Sequence, residues 1–290
     1  MSPRPTVTTT QPGPAAARPR DLDRQFALGL GRAFGGAVLF GLPLLMTMEM
    51  WQLGFAMHPG RLALLLAASI PLLVGLSAVS GFERTLDLKR DALDAFVAFA
   101  VGAVSAAVVL ALLGVIGPGQ SLVEIVGTVA LQAVPASMGA LLAQSQFGGV
   151  DEQVERRRAE EGHAGELFLM AVGALFLSFN IAPTEEVVLL AARMTHRHSL
   201  ALIVVSLVLM HAFVYAVEFR GQARVPRGTP LWSVFLRYTV PGYALVLLMS
   251  AYVLWTFGRF DGVAHPERVA LVLVLGFPGA VGAAAARLIL

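Results

Sequence analysis

The sequence has no cysteine and a single lysine, Lys89. The absence of cysteine excludes disulfides, thiolate metal sites and cysteine nucleophiles. Lys89 lies in a charged segment, so a retinal Schiff base inside a membrane is excluded as well. Charged residues are also scarce, at 14% of the chain, against about 25% in an average soluble domain. With 57% hydrophobic residues and a net charge of only +2, the composition predicts a polytopic membrane protein and argues against a nucleic-acid partner.

Eight apolar segments are long enough to cross a bilayer, which takes about 20 residues of helix. They are Phe26–Phe55, Leu62–Phe82, Ala92–Ile116, Leu122–Gln146, Glu166–Ala192, Ser199–Val217, Leu231–Phe257 and Val269–Leu290. The first, fifth and seventh are long enough to be tilted or broken. The predicted fold is therefore an all-α bundle of about eight spans in a lipid bilayer.

Basic residues are unequally divided between the two sides of this bundle. Residues 1–25 hold five prolines and four arginines, and we expect a disordered tail there. The tail shares one side with residues 83–91, 147–165 and 218–230, and this side has 13 lysines and arginines against five in the opposite loops. The positive-inside rule then places both termini in the cytoplasm.

The polar linker 147–165 divides the chain into a first half, 26–146, and a second half, 166–290. The halves can be aligned, which predicts an internal duplication of four plus four helices. An even number of spans gives both halves the same orientation, so that an axis along the membrane normal relates them.

The alignment matches acidic positions in the two halves. Glu49 falls on Glu185, and Glu124 falls on Glu267 at a slightly larger offset. Gly139 matches Gly282 at the same offset as the second glutamate pair. Shared glutamates with slowly growing offsets are harder to produce by chance than shared small apolar residues.

Acidic side chains interrupt the fifth apolar segment, AVGALFLSFNIAPTEEVVLLAARM. A carboxylate at membrane depth is costly unless it faces protein, water or an ion. Pro183 followed by Glu185 and Glu186 is typical of a helix start, with proline at the first helical position. We therefore expect a break near Asn180 to Pro183, where unwound carbonyl groups could coordinate a cation.

Glu49 in the first segment is the proposed counterpart of Glu185. Related by the axis, the two would form a paired carboxylate site for a cation. Structural alternatives remain for both positions. Glu49 is close enough to Trp51 to reach the outer headgroups, and a glutamate in a first helical turn stabilises the helix dipole by itself. Glu185 and Glu186 are about 100° apart around a helix, so at most one of them faces a narrow axis.

Three other polar residues are candidates. His211 lies near the middle of the sixth segment. It could act as a ligand, or it could be a hydrogen-bonded core residue. Glu124 and Glu267 begin the fourth and eighth segments. They could line an outer vestibule that concentrates cations, or they could simply be acidic residues at helix starts. Small-residue runs such as VPASMGALLA permit tight packing and oligomerisation. No cofactor is expected, no catalytic residue is assigned, and the identity of any metal is left open.

With PLLMTMEMW, NIAPTEE and HAFVYAVEFRGQ, the chain resembles a family of bacterial integral membrane proteins that share a domain of unknown function. The resemblance extends from about residue 24 to residue 290, and its signatures are TMEMW and APTEE. It implies a protein of the bacterial cytoplasmic membrane. It implies no activity, so no functional residue is carried over from it.

Three classes of function are compatible with these residues. The first is a cation channel or transporter with its carboxylates, Glu49, Glu185 and Glu186, in the outer half of the membrane. The second is an intramembrane metal-dependent hydrolase, since two adjacent glutamates and His211 on the next helix look like the CAAX-processing membrane proteases. That family continues EExxxR, whereas Leu190 stands at the arginine position, so an enzyme is disfavoured. The third is a membrane scaffold that transports nothing.

Overall fold

The computed structural model describes residues 19–80, 88–147, 163–215 and 231–289, and the regular structure in these ranges is helical. The helices are α1 (Pro19–Leu45), α2 (Met48–Ala56), α3 (Pro59–Ser80), α4 (Leu88–Leu112), α5 (Leu122–Phe147), α6 (His163–Ile181), α7 (Glu186–Arg193), α8 (His196–Tyr215), α9 (Leu231–Val234), α10 (Val240–Thr256) and α11 (His265–Ile289). A π-helical turn, Phe235–Thr239, joins α9 to α10. The all-α prediction is confirmed.

Eight helices in the described ranges are long and apolar enough to cross a membrane, as predicted. The first helix begins at Pro19, inside the segment predicted as a tail, and proline is well suited to a first helical position. Residues 1–18 and most of the predicted linker, residues 148–162, lie outside the described residues. The bundle therefore consists of four long spans before the linker and four after it.

The fourth and eighth spans, α5 and α11, are the central helices. Within their candidate spans, 78% of α5 and 61% of α11 is buried, compared with 11% of α8. Each central helix crosses the first helix of its own half at a pair of glycines. A β-carbon added to Gly36 would lie 2.6 Å from the carbonyl oxygen of Gly139, and one added to Gly173 would overlap the carbonyl oxygen of Gly282. Only glycine permits backbones to approach this closely.

These two crossings recur at matching positions along the chain. Gly139 and Gly282, on the central helices, are a pair that the sequence alignment had already matched. In the sequence, the interval from Gly36 to Gly173, on the first helices, is one position longer than the interval from Glu49 to Glu185. The duplication stays a prediction, and the register of this crossing would pair Glu49 with Glu186 instead of the predicted Glu185.

The first span is broken, one of the two outcomes that the length of the segment from Phe26 to Phe55 had left open. The helix α1 stops at Leu45, and α2 begins at Met48. Pro43 has no N–H to donate to the preceding turn, and the Thr47 hydroxyl donates to the Pro43 carbonyl. The Thr47 N–H bonds to Leu44, three residues back, which tightens the last turn and ends the helix.

The fifth span is broken as predicted, but the second helix begins later than expected. The helix α6 ends at Ile181 and α7 begins at Glu186, so Pro183 is not the first helical residue. The Thr184 hydroxyl and Thr184 N–H both donate to the Ile181 carbonyl, at 2.8 and 3.1 Å. This local turn holds Pro183 and Thr184 between the two helices, and Glu185 becomes the residue that precedes α7.

The two halves meet along an apolar seam. The rings of Phe40 in α1 and Phe176 in α6 pack edge to face, with centroids 5.8 Å apart. Gly75 in α3 faces the ring of Phe168 in α6, where a β-carbon would lie 2.6 Å from the ring. One core cluster draws buried side chains from both halves, so the halves form a single packed unit.

Candidate functional site

The predicted glutamates lie where two spans end. We call this end of the bundle, where α1 and α6 stop, the break end. The helix α6 has 19 residues, which at 1.5 Å per residue is about 28 Å, close to the hydrocarbon thickness of about 30 Å. The candidate span Ala27–Leu45 also has 19 residues. Glu49, Glu185 and Glu186 therefore follow helices that already cross most of the membrane, so these side chains lie near its boundary.

The three glutamates differ in exposure. Glu49, in the first turn of α2, is half-buried, whereas Glu185 and Glu186 are both exposed. Val187 and Ala191 form the buried face of α7. Adjacent residues on a helix point about 100° apart, and here neither glutamate shares the buried face.

Asn180 lies in the last turn of α6, just before the second break. Its side-chain amide donates to the Phe176 carbonyl, four residues back, at 2.8 Å. The amide nitrogen is therefore held against its own helix, and the amide oxygen remains as a hydrogen-bond acceptor or ligand. Asn180 is half-buried, which is compatible with a ligand at this position.

An arginine from a distant loop reaches the second break. The Arg259 guanidinium donates to the carbonyl of Pro183, one of the unwound carbonyls that the sequence made available to a cation. The Arg259 Nε atom is buried and has no hydrogen-bond partner among the described residues. This loop contains glycines with positive φ, Gly258 at 73° and Gly262 at 72°, which allow the sharp turns on either side of Arg259. The positive charge at this carbonyl is thus supplied by the Arg259 side chain.

A cleft of about 670 Å³ opens at the break end between the two halves. Its lining includes Met57 and His58 from the first half and Trp255 from the second. Arg61 and Asp261 also line it and join its two sides through two hydrogen bonds of 2.7 Å each. The Arg61 guanidinium stands 5.2 Å from the centre of the Trp255 ring, in a cation–π contact.

The charge of Asp261 is stabilised by this contact. The hydrogen-bonded Arg61 guanidinium holds the pKa of the Asp261 carboxyl below its usual value. Asp261 lies in the loop between α10 and α11, outside the membrane spans. It therefore stays ionised to a lower pH than an aspartate without such a partner.

His211 lies at the opposite end of the bundle from the glutamates. Its Nδ1 atom shares a 3.0 Å hydrogen bond with the buried Thr239 hydroxyl, and its ring packs edge to face against Phe235. Tyr238, next to Thr239, packs against His163 at the start of α6. Glu185 follows the other end of α6, so most of the length of that helix, which is about 28 Å in all, separates His211 from it.

This separation removes the metal-bridging geometry that a hydrolase would need between His211 and the glutamates. Among the residues that the structure describes, there is no group of three or more His, Asp or Glu side chains able to hold a metal ion. The interpretation of His211 as a hydrogen-bonded helix-packing residue fits its contacts. The π turn beside it follows from Pro241, which lacks the N–H that would continue the α-helical pattern.

Comparison with known families identifies the chain. A family model, DUF2391, which describes integral membrane proteins, matches residues 29–290. The chain belongs to the DUF2391 family. The match confirms the resemblance seen in the sequence and agrees with the eight apolar spans. No curated protein and no solved structure matches the chain.

Two acidic residues of this DUF2391 chain serve as helix starts at the break end. The Ser121 N–H donates to the Glu124 carboxylate at 2.9 Å, and the Glu124 N–H donates to the Ser121 hydroxyl at 3.2 Å. This reciprocal pair is a capping box, which accounts for Glu124 without a ligand. Glu267 lies exposed in the first turn of α11, where it complements the helix dipole.

Sequence reasoning missed the two arginines that act at this end. Arg61 and Arg259 were counted only for topology. Their partners, Asp261 and the Pro183 carbonyl, are far from them along the chain. The local signal was limited to the glycines on either side of Arg259, Gly258 and Gly262, which indicate a tight loop but no partner.

Proposed function

We propose that this membrane protein is a cation channel or transporter whose carboxylate site, Glu49 with Glu185 and Glu186, lies at the break end. The paired break carries the proposal. Both α1 and α6 stop at this end, and each is followed by a short helix with a glutamate in its first turn. Helix C-termini carry partial negative charge. Together with carboxylates at broken spans, they are typical of cation sites in transporters.

The two breaks share a threonine and a glutamate. In the register that matches the glycine crossings of the first helices, Thr47 and Glu49 at the first break correspond to Thr184 and Glu186 at the second. In the proposed duplication, an axis along the membrane normal relates these pairs, and Glu185 is an extra carboxylate of the second half. Asn180 would add an amide oxygen to the same site.

The proposed location is a bacterial cytoplasmic membrane, with both termini in the cytoplasm. The break end then faces outward, and the carboxylates lie at the outer side of the membrane. Glu124 and Glu267 begin helices at this end and would add negative charge to an outer vestibule that concentrates cations. Because Glu185 and Glu186 are exposed, the site would be open to the outer solution or completed by a second copy of the chain.

Ion flux in proteoliposomes tests the proposal. Purified protein would be screened with gradients of Na⁺, K⁺, Ca²⁺, Mg²⁺ and H⁺ using ion-sensitive dyes. For the ion that the wild type carries, we expect Glu49→Gln and Glu186→Gln each to reduce the flux at least tenfold. We expect Glu185→Gln to have a smaller effect, because it lacks a counterpart in the first half.

Glu166→Gln is a matched control, because Glu166 lies in the first turn of α6 at the opposite end of the bundle. Its flux should equal that of the wild type. Size-exclusion chromatography of every variant checks that the fold is intact. Unchanged flux in the folded triple variant of Glu49, Glu185 and Glu186 would contradict the carboxylate site. A wild type that carries none of the five ions would favour a scaffold.

A further inference from the structure

The cleft at the break end lies where two spans reach the membrane boundary. Arg61 is close to the start of the candidate span Pro59–Ala78, and Trp255 is next to the last residue of the span Phe235–Thr256. The Trp255 side chain is exposed, and tryptophan is enriched where headgroups meet hydrocarbon. The cleft is therefore at the depth of lipid headgroups.

The cleft is large enough for a small molecule and has a mixed lining. Its volume of about 670 Å³ is within the range of about 300–1,000 Å³ that is usual for ligand sites. Its apolar lining includes Leu53, Met57 and Phe257, and its charged lining is the Arg61–Asp261 pair. These walls suit an amphipathic ligand.

The ion pair in the lining still has hydrogen-bonding capacity. Asp261 uses two of the five guanidinium N–H groups of Arg61, which leaves three that can donate to another anion. A carboxylate can accept about four hydrogen bonds, and the Asp261 side chain is 61% exposed, so it is open to a further donor. Because the pair is neutral as a whole, a ligand with one positive and one negative group complements it better than a net charge does.

His58 adds another donor to the lining. Its Nδ1 atom accepts the Gly60 N–H at 3.1 Å. A neutral imidazole whose Nδ1 accepts a hydrogen bond carries its proton on Nε2. The His58 ring is exposed, so this N–H is available to an anionic group of the ligand.

We propose that the cleft binds one phospholipid with a phosphoethanolamine headgroup. The phosphate accepts from the remaining N–H groups of Arg61 and from His58, and the ammonium donates to Asp261. The glycerol and the upper part of the acyl chains pack on Met57 and Trp255. Because the cleft is lined by both halves, the bound lipid stabilises the contact between them.

The other common headgroups fit this lining less well. The quaternary ammonium of phosphocholine has no N–H to donate to the Asp261 carboxylate. Phosphoglycerol carries a net negative charge, which would leave Asp261 beside an anion without a cation of its own. The glutamates of the proposed cation site are not among the described residues that line the cleft, so lipid binding and ion transport can each fail without the other.

Native mass spectrometry of the detergent-purified protein tests the proposal. Short-chain phosphatidylethanolamine, phosphatidylcholine and phosphatidylglycerol with identical acyl chains would be titrated separately. We expect one phosphatidylethanolamine to bind roughly tenfold more tightly than either of the others, as the loss of one charged hydrogen bond implies. Equal affinities for the three lipids would overturn the proposal. Glycerophosphoethanolamine, the headgroup without acyl chains, should bind more weakly than the lipid, and equal binding would mean that the ligand is a soluble zwitterion instead.

Two variants separate the cleft from the rest of the surface. Ala56, at the end of α2, is exposed and lines the cleft, so Ala56→Trp fills the cleft and leaves the ion pair intact. This variant should lose the bound phosphatidylethanolamine. Ala192→Trp is the matched control, because Ala192 is an exposed alanine near the end of α7 that does not line the cleft. Its lipid binding should equal that of the wild type.

Asp261→Asn tests the headgroup contact directly. It removes the negative charge of the pair and leaves the Arg61 guanidinium uncompensated, so the preference should shift from phosphatidylethanolamine to phosphatidylglycerol. Size-exclusion chromatography checks the fold of each variant. An Ala56→Trp protein that binds phosphatidylethanolamine like the wild type, or an Asp261→Asn protein that keeps the wild-type preference, would contradict the lipid site.

Discussion

Arg61 of the first half and Asp261 of the second half form a two-pronged ion pair, with both N–O distances at 2.7 Å. The pair lies beside the cleft at the break end, and Trp255 stacks under the guanidinium. A planar guanidinium that meets a carboxylate through two parallel bonds fixes orientation as well as distance. The contact therefore fixes the relative orientation of the two halves at this end. The apolar seam alone would fix this orientation less strictly.

Reversing the charges of this pair tests its role. Arg61→Asp and Asp261→Arg should each lower the Tm, because each places two like charges side by side. The double reversal should recover part of the loss, since it restores the ion pair but leaves no arginine stacked on Trp255. Differential scanning fluorimetry in detergent measures all three, and a double variant as unstable as the singles would mean that the charges are not coupled.

Acid should weaken the same contact. The pKa of Asp261 is lowered in the folded protein by its hydrogen bonds to Arg61. This contribution to stability is present above the ordinary pKa of the carboxyl and is lost as the pH falls through the lowered pKa. The wild type should lose more Tm than Asp261→Asn does between pH 6 and pH 3. Equal losses would show that other carboxyl groups dominate the acid response.

The glycine crossings allow a comparison of neighbouring positions. A β-carbon on Gly36 would overlap Ala143 and lie 2.6 Å from the Gly139 carbonyl oxygen, whereas one on Gly35 meets nothing within 4 Å. Both substitutions gain the same helix propensity. Gly36→Ala should therefore be less stable than Gly35→Ala by about 1–3 kcal/mol from overpacking. Gly173→Ala should behave like Gly36→Ala, and chemical denaturation measures all three.

Thr239→Val tests whether His211 is structural. The substitution keeps the shape of the buried side chain but removes the hydroxyl that bonds His211. Losing one such bond should cost about 1 kcal/mol of stability. Ion flux should be unchanged, because His211 lies at the end of the bundle opposite the glutamates. A folded Thr239→Val protein with altered ion selectivity would instead return His211 to the transport path.

The apolar segments predicted the eight spans because each crosses a bilayer by itself, and hydropathy is a local property. The break near Pro183 was also predictable, since proline and glutamate mark helix boundaries. The length of the first segment allowed a break, but its position at Thr47 was not predicted, although Pro43 and Glu49 flank it in the sequence; in the structure a Thr47 hydroxyl that bonds back to Pro43 marks it. Hydropathy does not register such a bond, and the apolar run continues across it.

The candidate site was less predictable than the fold. The sequence indicated which polar residues lie near the break end, but it did not indicate their partners. Arg61 meets Asp261 only when the two halves pack, and Arg259 meets Pro183 only when the α10–α11 loop folds back over α6. The sequence grouped His211 with the glutamates because their helices are neighbours. Side chains on neighbouring helices can still be far apart, since the two ends of a span are about 28 Å apart.

The contact of Arg259 with the Pro183 carbonyl makes the two breaks chemically unequal. The loop after α4 makes the same turn, with Gly114 at φ 70° where the second half has Gly258 at 73°. Val115 then stands at the position of Arg259, so the first break has no tethered cation from the corresponding loop position. Under the proposed function, a cation at the second break would have to compete with the Arg259 guanidinium for this carbonyl. A cation at the first break would meet no such competitor, so the two sites would differ in affinity.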